Sequence, residues 1–281
     1  MFEVSDFDFY FARLKHGKER GSLKIVGIII GVVVLLIVGL IIASKRIVKN
    51  AKKSQLEMES VNPLSKEKQH LLAYGANLAL YRSESPRILP VKVDHETLKE
   101  GLSSNWDVNN PEEAVETLEW LLMEGHRARY DEFLNSLKAG QSFTEEEVGK
   151  SQKCYESAQE VMMKQLSFAK SDYDRVDTIA AWDFDRAVNI ARWSYIVGYI
   201  TEEQAWGYIT RAADAGSHIF QSWKDYLISF AFGRAIAYEG DIYDIIWSGK
   251  ELLNEKDSIW NEFSIQRSTA QDSNNLTLDK V

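Results

Sequence analysis

The longest hydrophobic run is Ile25 to Ala43, IVGIIIGVVVLLIVGLIIA, nineteen residues without a charge. As a helix rising about 1.5 Å per residue it reaches about 28 Å, which matches a hydrocarbon core of roughly 30 Å. Lys45 and Arg46 follow it, where a cleaved signal peptide would carry small residues. The pattern therefore predicts one transmembrane helix over 25–43. Residues 1–24 form a basic arm carrying Phe2, Phe7, Phe9, Tyr10 and Phe11, rings suited to a membrane interface. Residues 44–63 read as a polar linker ending at Asn62-Pro63, 64–262 as the globular domain, and 263–281 as a disordered tail too polar to join a core.

Behind the linker the punctuation is helical. Leu64 to Arg82 predicts a first helix, interrupted between Pro86 and Pro90. Asn110-Pro111 with Glu113 is an N-cap, a first-turn proline and a capping-box acid, opening a helix that runs to Gly125. Thr144 before three glutamates predicts a helix continuing to about Lys170. Asp177 is placed to cap a helix that stops at Gly198. Thr201 and Gln204 form a capping box for one ending near Gly216, and Asp241 opens another. No alternating strand pattern competes, so the expected fold is all-α: an antiparallel multi-helix globular domain preceded by a single transmembrane helix.

At 100° per residue, Trp182 and Trp193 fall about 20° apart on one stripe, with Arg186 about 40° from Trp182. Trp182, Arg186, Ile190, Trp193 and Val197 thus share an inward face that contains a charge. Asp183 is three residues away and can neutralise Arg186, because an unpaired buried charge costs several kcal/mol. Asp185 and Arg192 share the other side, where a cross-helix ion pair is expected. Downstream, Trp206 follows Glu202 and Glu203, and Trp223, Leu227, Phe230 and Arg234 form a second stripe. Arginines among tryptophans favour stacking and bidentate carboxylate pairing.

Charge separates the two parts of the chain. Residues 1–60 carry a net +4 and residues 61–281 a net −13. A domain this acidic repels a phosphate backbone, which argues against nucleic-acid binding. Five Lys/Arg on each side of the apolar run leave the membrane orientation tied. The single cysteine, Cys154, rules out an internal disulfide framework and points to a cytosolic domain on an inner membrane. Gly27 and Gly31 form a GxxxG pair through which two anchors could dimerise.

The run AWDFDRAVNIARWSYIVGYITEEQAW (Ala181 to Trp206), with FQSWKDY (Phe220 to Tyr226), FGRAIAY (Phe232 to Tyr238) and LEWLLMEGHR (Leu118 to Arg127), resembles the YbeU/YbeR-like family of bacterial domains of unknown function. The resemblance covers about Trp106 to Trp247. That family's last motif carries a tryptophan four residues after Gly-Arg, where this chain has Tyr238. The resemblance implies a bacterial α-helical domain and supplies no activity.

No HExxH, GxSxG, P-loop or dinucleotide fingerprint is present, and the five histidines have no metal-ligand spacing. Neither metal nor cofactor is expected. His126 follows Gly125 at a helix end, where capping is the default role. The residues that carry the chemistry are Trp182, Asp183, Asp185, Arg186, Arg192, Trp193, Glu203, Trp206, Trp223, Asp225, Arg234 and His126. Two functions fit them. One is a membrane-anchored, non-enzymatic module that binds another protein. The other is an enzyme acting on an anionic small molecule held in an interhelical Arg/Trp/Asp pocket.

Overall fold

A computed structural model describes residues 36–40, 43, 44, 46, 50 and 53–267. The chain divides into two units, Met1–Met58 and Glu59–Val281. In the first, 36–40 are helical, and Leu36, Ile37, Val38 and Leu40 are all exposed. No helix among the described residues is long and apolar enough to cross a membrane. Most of the expected span 25–43, with Gly27, Gly31 and the aromatic arm, lies outside the described residues. Every described position from 43 to 61 is helical where a polar linker was expected.

The second unit is helical throughout its regular structure, with no strand among the described residues. Its helices are α1 (Lys66–Leu72), α2 (Ala76–Tyr81), α3 (His95–Trp106), α4 (Pro111–Met123), α5 (Arg127–Lys138), α6 (Glu145–Val148), α7 (Ser151–Leu166), α8 (Lys170–Asp174), α9 (Ala180–Ile196), α10 (Glu202–Ile219), α11 (Trp223–Ala237), α12 (Tyr243–Asn254) and α13 (Ile259–Glu262). The expected first helix is two, joined by a 3₁₀ turn over Ala73–Gly75.

The Asn110 and Thr201 caps are realised, although Glu113 accepts from Asn109 N instead of closing a box with Asn110. Asn110 Oδ1 accepts from Glu113 N at 2.9 Å, and Thr201 with Gln204 closes a reciprocal box. Two more expectations are corrected. The helix predicted from Thr144 to Lys170 is three helices, α6 to α8, broken first at Gly149, whose φ is +58°. Asp177 does not cap α9, because its carboxylate is taken by Lys138.

Helix α9 is the axis of the domain. Every residue from Ala180 to Ser194 is buried, whereas periodicity predicts one buried face. Helices α2, α3, α4, α10 and α11 all pack on it, so no side is left for solvent. Its polar residues Asp183, Asp185, Arg186, Asn189 and Arg192 must therefore find their partners inside the protein.

The C-terminal segment also differs from expectation. Residues 263–267 are anchored to the domain: Ile265 is buried, its carbonyl accepts from the Tyr74 hydroxyl, and Arg267 pairs with Asp214. The remainder of the expected tail, 268–281, lies outside the described residues.

Candidate functional site: a buried carboxylate and guanidinium framework

Two aspartates two residues apart on a helix point about 200° apart, so Asp183 and Asp185 leave α9 on opposite sides. Each ends at the start of another helix. Asp183 Oδ1 accepts from His126 N at 3.0 Å and Oδ2 from Arg127 N at 3.1 Å, at the N-terminus of α5. Asp185 accepts from Asn77 N at 3.2 Å and Leu78 N at 3.3 Å, in the first turn of α2. A carboxylate there satisfies amides that have no intrahelical acceptor and meets the positive end of the helix dipole.

The same device recurs twice. Asp131 of α5 accepts from Ile179 N at 2.8 Å, so α5 caps α9 while α9 caps α5. Glu239 accepts from Lys150 N at 2.8 Å at the start of α7. Both Asp183 and Glu239 reach their helices across a glycine in the left-handed region. A Cβ on Gly125 (φ +61°) would lie 2.2 Å from Asp183 Oδ2, and one on Gly149 would lie 2.4 Å from Glu239 Oε1. Any side chain there would block the carboxylate.

Around Asp183 the acid is balanced by two guanidinium groups. Arg186 Nη2 donates to Oδ1 at 2.8 Å and Arg127 Nη1 to Oδ2 at 3.2 Å. Arg127 also donates to the carbonyls of Leu121 and Leu122 at 2.7 and 2.6 Å, closing the C-terminal end of α4. Arg186 donates through Nε to Trp182 O at 2.7 Å and lies over the Trp106 and Trp182 rings at 5.3 and 4.2 Å. Its Nη2 is 2.7 Å from His126 Nδ1. A guanidinium can only donate, so Nδ1 is the acceptor and the imidazole carries its proton on Nε2. Burial alone would raise the Asp183 carboxyl, but Arg186 and the backbone amides of His126 and Arg127 outweigh it and hold it below the usual range. Burial lowers Arg186 to about 10, against the pull of Asp183, and leaves it charged at neutral pH.

On the opposite side, Arg192 is 1% exposed and gives its protons to a loop. It donates to the carbonyls of Ser85, Ile88 and Leu89 at 2.9, 3.0 and 3.3 Å, and to Asn189 Oδ1 at 3.2 Å. Its ion-pair partner, Glu84 at 3.8 Å, lies in the 82–90 loop, so the pair expected across helices is made to a loop instead. Glu84 also accepts from Trp193 Nε1 at 3.1 Å. Burial pushes the Asp185 carboxyl well up, opposed by the Leu78 and Asn77 amides and by Arg186. Asn77 is fully buried, and its side-chain nitrogen and oxygen have no hydrogen-bond partner, nor does Trp182 Nε1.

Of the residues singled out from the sequence, Trp182, Asp183, Arg186 and His126 come together, Asp185 and Arg192 leave α9 on its other side, and Trp193 reaches Glu84 from further along the tryptophan stripe. The rest lie apart. Glu203 is exposed in the first turn of α10, and Trp206 donates to Glu202 at 3.0 Å. Trp223 stacks on Trp260 at 5.1 Å, and Asp225 pairs with Arg175 at 3.1 Å. Arg234 is only partly buried and donates to Asp241 O at 3.0 Å. Arg186 and Arg234 are engaged separately, the first with Trp182 O, Asp183 and His126 and the second with the Asp241 carbonyl. Sequence reasoning missed Arg127, Trp106, Glu84, Asn77, Asn189, Asp131 and Glu239. Arg127 and Asn189 lie inside the aromatic and charged motifs, but the others carry no local signal.

Among the described residues no group of three or more His, Cys, Asp or Glu side chains is arranged to hold a metal ion. Neither the curated proteins nor the solved structures contain a match to this chain. The α9 residues and the partners of Asp183 fall within one matched segment, residues 101–264, while the α2 and 82–90 partners of Asp185 and Arg192 precede it; the segment is more than half of the chain, and on that match the protein belongs to the family described as protein of unknown function (DUF1266).

Proposed function

We propose that this protein is a membrane-tethered, non-enzymatic helical module that binds another protein, with residues 25–43 as its single-pass anchor. The motifs from Leu118 to Tyr238 support placing it among the YbeU/YbeR-like bacterial domains of the family. Exposed Leu36, Ile37, Val38 and Leu40 on a helical stretch support the anchor, because four apolar side chains in water carry a hydration cost that lipid removes. The single cysteine favours an inner-membrane protein with a cytosolic domain, and Gly27 with Gly31 offers a dimer contact between anchors.

One observation carries the choice of module over enzyme. The Arg186 guanidinium, the best candidate to hold an anion, is 4% exposed, sandwiched by two indoles and hydrogen-bonded to Trp182, Asp183 and His126. Three surface cavities, of about 570, 370 and 380 Å³, are lined by other residues. The alternative, an enzyme acting on an anionic small molecule, needs that guanidinium to face a cavity.

Arg186→Lys in the full-length chain separates the two. A module loses thermal stability, because an ammonium cannot reproduce the stacking and forked donation, and its parent gains nothing from phosphate or dicarboxylates. An unchanged melting temperature, with anion-dependent stabilisation of the parent that the variant lacks, would establish the enzyme reading instead. Pull-down with the anchor intact should recover a protein partner; recovery of lipid alone contradicts the module.

A further inference from the structure

Four large aromatic side chains are exposed on one connected surface of the second unit. Tyr81, Tyr238, Tyr243 and Trp247 have relative exposures of 40, 65, 43 and 53%. Arg234 links the first two, its guanidinium lying 5.4 Å from the Tyr81 ring and 5.5 Å from the Tyr238 ring. It also donates to Asp241 O, and the Asp241 carboxylate accepts from Tyr243 N at 2.9 Å. Trp247 lies one turn further along α12 and carries Lys250 over its ring at 5.1 Å. Tyrosine and tryptophan beside Arg and Lys are the side chains that settle where headgroups meet hydrocarbon, with the ring in the apolar layer and the polar tip in water.

The entry point of the chain favours this face. Glu59, the first residue of the unit, accepts from Ser85 Oγ at 2.6 Å, and Ser85 is four residues from Tyr81. Only fifteen residues, 44–58, separate Glu59 from the end of the apolar run. They span about 20 Å as helix and about 50 Å extended, against a radius of gyration of about 17 Å for a domain this size. So short a tether limits how far Glu59 can lie from the end of the apolar run.

We propose that the Tyr81, Arg234, Tyr238, Tyr243, Trp247 and Lys250 surface docks on the lipid bilayer that holds the anchor. This rests on the membrane anchorage proposed above. Asp241, Asp244 and Glu251 border the patch, so the contact works by ring insertion into the interface of neutral phospholipid. Attraction to anionic lipid is not its source.

All eight tryptophans lie between Trp106 and Trp260, so the anchor itself is dark in tryptophan fluorescence. The test is full-length protein in phosphatidylcholine vesicles whose acyl chains are brominated near the headgroup, with flotation measured on the same samples. The expected result is flotation with the vesicles and quenching on the order of one tryptophan in eight, unchanged by high salt and abolished in Trp247→Phe. Flotation without quenching overturns the docking and leaves the anchor standing. Equal quenching in Trp247→Phe shows that another face meets the lipid and also overturns it. A chain that does not float loses both readings at once.

Discussion

Replacing Asp183 with asparagine is the sharpest perturbation of the framework. The carboxylate accepts four hydrogen bonds: from His126 N and Arg186 Nη2 on one oxygen, and from Arg127 N and Arg127 Nη1 on the other. Asparagine keeps one acceptor and turns an NH₂ toward two groups that can only donate. It also leaves two guanidinium groups, 16 and 5% exposed in their side chains, without their anion. Removing one partner of a buried ion pair costs about 3–5 kcal/mol, because the remaining charge stays desolvated. For a domain of roughly 200 residues each kcal/mol moves the midpoint by about 2–4 °C, so Asp183→Asn should lower the melting temperature by about 6–20 °C. Thermal unfolding followed by circular dichroism measures this directly. Removing the cation as well, in Asp183→Asn with Arg186→Met, should cost less than the sum of the single changes, by about 0.5–3 kcal/mol. A single variant melting within about 2 °C of the parent, or strictly additive effects, would refute the reasoning.

Two further expectations follow from the same geometry. The folded Asp183 carboxyl titrates below its unfolded value of 3.8, so its contribution is complete above that value and is lost as pH falls through the folded one. The stability gap between parent and Asp183→Asn should therefore be constant near neutral pH and should narrow below about pH 4; a gap that narrows instead on the alkaline side contradicts the assignment. Gly125→Ala and Gly149→Ala impose the same left-handed strain of about 1–2 kcal/mol. The methyl on Gly125 meets a buried aspartate, whereas that on Gly149 meets the flexible end of the exposed Glu239. Gly125→Ala should be the more destabilising by denaturant unfolding, and equal losses would show that the carboxylate beside Gly125 is free to move.

What the sequence revealed depended on the range of each interaction. The caps at Asn110 and Thr201 are visible because donor and acceptor lie three residues apart, and the Asp183 and Arg186 pair because i and i+3 share a helix face. The caps of α2, α5, α7 and α9 come from carboxylates far along the chain, such as Asp131 for Ile179 and Asp183 for His126, and no window of local sequence contains both partners. Asp177 shows the resulting error: it occupies a good capping position, yet Lys138 takes it and distant Asp131 serves the helix. The burial of α9 was half legible. Its tryptophan stripe marks an inward face, but Asp185 and Arg192 read as one side of an ion pair across helices, whereas Asp185 serves the first turn of α2 and Arg192 the 82–90 loop. Arg234 resembles Arg186 in its stripe and differs only because it lies near the end of its helix, where a carbonyl at a turn can take it.

The central claim is that the aspartates of α9 hold the starts of neighbouring helices, and amide hydrogen exchange at four backbone positions tests it most directly. Asn77, Leu78, His126 and Arg127 belong to helix starts, where amides ordinarily exchange fast for want of an acceptor. In the native protein they should exchange as slowly as amides in the middle of α9. Asp183→Ala should release His126 and Arg127 while Asn77 and Leu78 stay protected. Fast exchange at all four in the parent would contradict the account.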